Sequence, residues 1–337
     1  MIDMDQRLAE LTRWVQEHLE WKDAQLAVAS ADASFRRYFR VTYNNQTFIA
    51  MDAPPEKEAI QPFIDITNVL LKTATHVPEI IAQNTERGFL ILEDLGNTPY
   101  LDKLNASSAD ALYHDAFDAL IQMQEADITS LPAYDEQRLH DELLLMPEWF
   151  LKTHLDIELT ENEQSVIASS FSFILQEIAQ QPSTHFVHRD YHSRNLMMTS
   201  ERNPGVIDYQ DAVSGPISYD LVSLLRDCYI HWPQSQVETW ALQFRDKAIA
   251  ATIISDIDDS SFLKNLDIMG LQRHIKVLGI FCRLAHRDGK IDYLNDLPLT
   301  LSYVLDVARR YPEMQALLAL FDRHNIPAYI GTNEISA

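Results

Sequence analysis

Apolar and polar positions alternate with two different periods along this chain, and the period changes near residue 95. Leu8, Leu11, Val15 and Leu19 recur every three or four residues, which predicts a leading helix. Residues 25–30, 37–43 and 47–51 are short runs of apolar and β-favouring residues and read as strands, with Asn44 and Asn45 turning between the last two. Pro54 and Pro55 end the strand region. Residues 58–72 read as a helix, with Ile60, Phe63, Ile64 and Leu70 mostly on one side. Residues 77–82 and 89–92 supply two more strands, parted by a polar turn that ends in Gly88. At residues 93–97 an apolar strand stops and acidic and turn residues begin, which marks a hinge. Helical periodicity then runs through 110–124, 136–154, 160–180, 219–230, 236–254 and 271–286. Two short strands around a polar loop interrupt that series. The expected class is α+β, with a small five-stranded antiparallel-sheet lobe over 1–95 and a larger, mainly helical lobe over 96–337.

Composition narrows the setting. A chain of 337 residues exceeds the size at which one core usually stops growing, so two lobes are expected. It carries 27 basic and 50 acidic residues, a net charge of −23, which argues against a nucleic-acid or anionic-membrane binder. Any anionic ligand must then be met by a local cluster of cations or by a bound metal ion. Cys228 and Cys282 sit in apolar helical patterns and make no disulfide framework, so a reducing compartment fits. The first residues lack the apolar core of a signal peptide, and no run approaches the roughly 20 apolar residues of a membrane span. A cytoplasmic protein with no obligatory protein partner is the expectation.

The chemistry lies between His185 and Asp211. Asp190, Asn195 and Asp208 each lie at one end of a short apolar run, the first two five residues apart and the third thirteen further on. This is the spacing of a kinase catalytic loop, H-x-D-x-x-x-x-N, followed by a metal-binding Asp. In that chemistry one carboxylate receives the proton of the acceptor hydroxyl. An amide oxygen and a second carboxylate hold Mg²⁺ against the phosphates of ATP, and such hard oxygens suit magnesium. The alternative is a polar turn in which Asp and Asn cap backbone groups.

With this loop and element order the chain resembles the aminoglycoside phosphotransferase and choline kinase superfamily. Residues 206–229, together with 32–40, 51–55 and 272–289, are similar to the bacterial N-acetylmuramate/N-acetylglucosamine anomeric kinases of peptidoglycan recycling. The resemblance implies a two-lobed protein-kinase-like fold, ATP and Mg²⁺ as cofactors, and a small amino sugar as acceptor. It implies Asp190 as catalytic base, Asn195 and Asp208 as metal ligands, and His188 and Asp220 as supports of the loop. The backbone of Glu93 and Leu95 would bind adenine. The resemblance breaks in two places. No glycine-rich loop is present, Asp32 to Arg37 standing in its place, and the third strand has Ala50 or Met51 where kinases keep a phosphate-binding Lys. Arg36 and Arg37 are the nearest substitutes, since a guanidinium grips phosphate oxygens in pairs; as hairpin-tip residues they could equally be solvated. His192 and Arg194 could face the transferred phosphoryl group or simply bond the loop. Asp211, Arg226 and Arg283 are candidates for the acceptor side. The alternatives are an aminoglycoside or choline phosphotransferase, and a pseudokinase serving as a binding module.

Overall fold

A computed structural model gives the fold and describes residues 4–31 and 35–332. The part of the atypical loop formed by residues 32–34 lies outside the described residues. The chain forms two compact units, the first built from 1–99 and 196–211, the second from 100–195 and 212–337. The first division therefore falls four residues beyond the lobe boundary at residue 95 read from the sequence, and a later segment returns to the first unit.

The first unit opens with α1 (Met4–Arg13), which runs into a π-helical turn, Trp14–His18. Strands β1 (Gln25–Ala31), β2 (Arg37–Tyr43), β3 (Gln46–Asp52), β4 (Ile80–Asn84) and β5 (Phe89–Glu93) form one antiparallel sheet in the order β1-β2-β3-β5-β4. Register follows from the pleat. Phe39 pairs with Ala50, and Ala50 with Ile91, so these residues share a face. That face packs with Leu11, Trp14 and Val15 into one buried cluster. Each large side chain fully buried in this way contributes about 1.5–3 kcal/mol.

Helix α2 (Gln61–Leu70) starts later than the periodicity suggests, because Pro62 suits a first helical turn, where no N–H is needed. Gly88 has φ +73, and a Cβ there would lie 1.9 Å from the carbonyl oxygen of Ala53, so only glycine fits this turn. The returning segment brings the hairpin of β7 (Leu196–Met197) and β8 (Gly205–Val206). It is tied to the first unit by Met198 N–H to Thr98 O at 2.8 Å and Val206 N–H to His76 O at 2.8 Å.

The second unit contains α3 (Ala109–Gln124), α4 (Glu136–Leu143), a nine-residue π-helical segment (Met146–His154) and α5 (Glu161–Ile178). The pair β6 (His185–Val187) and β9 (Val213–Gly215) brackets the candidate catalytic loop in sequence. Then follow α6 (Ser218–Leu225), α7 (Gln234–Ala250), α8 (Asp259–Asp288), α9 (Leu297–Ala308), α10 (Gln315–Arg323) and α11 (Ile326–Ile330). The 30-residue α8 is the axis of the unit. It packs against α4, α5, α6, α7, α9 and the π-helical segment, and is buried on most of its circumference.

Candidate active site

The candidate catalytic loop leaves β6 through a backbone that costs energy to hold. Arg189 has φ +78, a left-handed conformation that a branched or long side chain rarely adopts. Two carboxylates hold it there. Asp220, at the start of α6, accepts the backbone N–H of His188 at 2.7 Å and of Arg189 at 3.0 Å. Glu142, on α4, accepts the Arg189 guanidinium, the Tyr134 hydroxyl and, at 3.1 Å, the Lys276 ammonium. His188 Nδ1 receives the Asp190 N–H at 3.2 Å, so the imidazole braces the turn from within. Burial pushes the Asp220 carboxyl up to about 6, against the pull of His188 and the two amides.

Asp190 itself reaches the surface of its unit above this packed floor. Desolvation opposes its ionisation, but His192, Lys276, Arg273 and Arg189 outweigh it and hold the carboxyl at about 2. Burial keeps His192 below the usual imidazole range, so near neutral pH the three permanent cations carry that effect. The group is therefore a weak base that stays ionised at any ordinary pH. It can orient a hydroxyl and take its proton late, as the bond to phosphorus forms.

Asn195 ends the loop. Its amide NH₂ donates to the Asp190 carbonyl at 3.0 Å, which turns the amide oxygen to the opposite branch. Ser193 is fixed by Asp227, which accepts its N–H at 2.9 Å and also its hydroxyl. Arg194 is exposed and lies over the Tyr229 ring at 3.4 Å, while His192 meets the same ring edge-on at 5.3 Å. Arg226 has an interior position: it is 1% exposed and donates to Asp267 at 2.6 Å, which makes it a core ion-pair group. Arg283 is half-buried on α8.

The first unit holds the other candidates. Asp208 has φ +65 and accepts a Gln210 amide hydrogen at 2.9 Å. The next residue, Tyr209, is locked on α2, stacking on Phe63 at 5.1 Å and sharing a hydrogen with Thr67 at 2.8 Å. Gln210 also donates to the exposed Asp211 at 3.2 Å. Arg36 is 6% exposed, so it is no solvated tip; it donates to Glu58 at 2.6 Å and comes within 3.9 Å of Asp208. Arg37 instead grips Asp52, a fully buried carboxylate that also accepts Arg7. At the hinge, Glu93 closes β5 and Leu95 is buried. Between them Asp94 is clamped by Arg40 through two hydrogen bonds of 2.7 and 3.0 Å, and Arg40 also bonds Gly96 O at 2.9 Å.

Glu142, Lys276, Glu58 and Arg40 are the residues that sequence reasoning passed over. Each acts through a partner at least 22 positions away. A local pattern carries no trace of such a pairing.

Comparison with known proteins adds the following. Residues 25–252 match the model of a family described as the phosphotransferase enzyme family. The chain is 42% identical over 328 residues to an N-acetylmuramate/N-acetylglucosamine kinase of Pseudomonas putida, covering 94% of this chain and 96% of that one. A protein of the same name from Neisseria meningitidis serogroup B is 39% identical over 321 residues, covering 94% and 95%. Among solved structures, a choline kinase from Streptococcus pneumoniae has a TM-score of 0.62 at 11% identity, over 89% of this chain and 99% of that one. The ADP-bound aminoglycoside phosphotransferase APH(2'')-Ib has a TM-score of 0.60 at 15% identity, over 89% and 98%. At such identities these two likenesses speak for the kinase-like fold alone.

Proposed function

We propose, for a chain that belongs to the phosphotransferase enzyme family, that it transfers the γ-phosphoryl group of ATP to the anomeric hydroxyl of N-acetylmuramate or N-acetylglucosamine. The observation that carries the acceptor is the name shared by relatives 39% and 42% identical across nearly the whole chain. The chemistry of the residues supports the reaction class. Asp190 is the proposed base: its ionised carboxylate, fixed from behind by Asp220 and Glu142 through Arg189, orients the sugar hydroxyl and receives its proton.

Asn195 and Asp208 are the proposed magnesium ligands. Among the described residues no three His, Cys, Asp or Glu side chains form a metal-binding group. An amide oxygen and a carboxylate nevertheless fit magnesium, which takes one or two protein carboxylates and completes its shell with phosphate and water. When bound, the metal supplies charge neutralisation for the transferring phosphoryl group. The hinge backbone at Glu93 and Leu95 is proposed to hold adenine. Among the described residues no helix is long and apolar enough to cross a membrane.

The test is ATP consumption against N-acetylmuramate, N-acetylglucosamine, kanamycin, choline and homoserine, with Asp190→Asn as control. The expected product is an acid-labile sugar 1-phosphate whose phosphorus couples to the anomeric proton. The Asn variant should keep nucleotide affinity and lose turnover by about 10²-fold or more. A 6-phosphate product, or faster turnover of kanamycin, would remove the assigned acceptor and leave the kinase assignment standing.

A further inference from the structure

Helix α8 carries a row of cations on one face. Arg273, Lys276, Arg283 and Arg287 follow at intervals of three, seven and four residues, which keeps them on a single stripe of an α-helix. Their partners differ. Arg273 is buried and donates to the Ser223 hydroxyl at 2.5 Å. Lys276 is buried between Tyr219 and Glu142. Arg287 is paired with its neighbour Asp288. Arg283 alone of the four lacks a hydrogen bond or ion pair among the described residues, and its Nε is buried without any hydrogen-bond partner. Its proton is also easier to lose than usual, through desolvation first and then the nearby Arg287, with Asp288 and Glu142 in part offsetting both. A guanidinium so placed has surrendered water on one side and received no carboxylate in return.

The stripe begins behind the catalytic base. Arg273 and Lys276 are among the cations that hold the Asp190 carboxyl down. Arg283 stands seven residues beyond Lys276, about 10.5 Å along the axis at 1.5 Å per residue. Glu142 joins the two ends, since it binds Arg189 beside the base and its field reaches Arg283. A pyranose with its anomeric oxygen at Asp190 would extend along this row.

We infer that Arg283 is the specificity residue for a carboxylate carried by the acceptor, the lactyl carboxylate at C3 of N-acetylmuramate. The inference rests on the sugar-kinase reading above. The exposure of Arg283 explains how the lactyl-free sugar is also accepted. A fully buried guanidinium such as Arg226 would be left uncompensated if its anion were missing, at heavy cost. A half-buried one takes water when N-acetylglucosamine binds and a carboxylate when N-acetylmuramate binds.

The experiment measures kcat and KM for N-acetylmuramate, its methyl ester and N-acetylglucosamine in the parent enzyme, Arg283→Gln and Arg283→Lys, with calorimetric binding of each sugar alongside. The ratio of kcat/KM for N-acetylmuramate over N-acetylglucosamine should fall about tenfold to a hundredfold in Arg283→Gln, mainly through KM, as expected for a lost charge-assisted pair. Esterification should lower kcat/KM in the parent, and the Gln variant should no longer distinguish acid from ester. Arg283→Lys should recover part of the preference. Equal losses for both sugars, or an acid-over-ester preference that survives in Arg283→Gln, would overturn the inference. If the parent phosphorylates neither sugar, the sugar-kinase reading fails and takes this one with it. If the parent phosphorylates both and Arg283→Gln matches it, only the role of Arg283 is lost.

Discussion

Arg36 and Arg37 are neighbours in sequence with unlike surroundings. Arg37 and Arg7 share the buried carboxylate of Asp52, so removing Arg37 leaves a fully buried acid with one partner fewer. That is an injury to stability. Arg36 stands between Glu58 and Asp208, the residue proposed to carry the metal, and β3 has Ala50 and Met51 where kinases keep a lysine. We propose that the pair it makes with Glu58 serves as the counterpart of the lysine–glutamate pair on which kinases rely. Arg36→Ala should therefore weaken ATP and ADP binding about tenfold or more and spare adenosine, read by calorimetry. Arg37→Ala should lower the melting temperature and change all three affinities alike. If both variants bind the three ligands as the parent does, neither arginine replaces the lysine. The sequence narrowed the substitute to two residues. Choosing between them required the positions of Asp52 and Glu58, one close in sequence and the other 22 residues away.

At the scale of elements, what could be read depended on how local the determinant is. The five strands follow from two-residue alternation, and four of them stand within a residue of the runs read from the sequence, while β4 starts at Ile80, three residues later than the run at 77–82 suggests. Helices fared unevenly. The periodicity over 136–154 suggests one helix, yet the chain forms α4 and then a π-helical segment, with Leu144 and Leu145 between. The periodicity over 219–230 stops at Leu225, because Asp227 turns to accept from Ser193 and Tyr229 and no longer serves a helix. Helix α8 begins twelve residues before the repeat at 271–286 is evident; Asp258 caps it by accepting from Ser261 N–H at 3.0 Å. Helices α9, α10 and α11 lie past the last periodic stretch read from the sequence, and prolines near the starts of α9 and α11 resemble breakers although they suit first turns. Long-range approach shapes this region. A Cβ on Gly279 of α8 would lie 2.3 Å from the carbonyl carbon of Leu145, a backbone atom that no rotamer change can move. Gly279→Ala should destabilise the protein by about 3 kcal/mol, against a small gain in helix propensity. A melting temperature equal to or above that of the parent would show that α8 does not approach Leu145 so closely.

At the scale of the molecule, each unit is assembled from two stretches of chain. The first unit keeps its sheet within 1–99 but borrows β7, β8 and the Asp208–Asp211 turn from a segment that starts at Leu196. Those residues satisfy His76 O and Thr98 O and place Tyr209 against Phe63 and Thr67. This interleaving sets an order of events during synthesis. The 112 residues between positions 99 and 211 take roughly 6 to 22 s to add at about 5–20 residues per second. Until that segment is made, the emerging amino-terminal unit lacks its returning hairpin and keeps apolar surface open. The nascent chain is then most exposed to aggregation and to chaperones, and the unit that leaves the ribosome first is not the first to be finished. Chains stalled before residue 196 should be cut by protease within 1–99, and chains stalled well past 211 should resist. Resistance already present in the shorter chains would mean that the amino-terminal unit matures without waiting for its second piece.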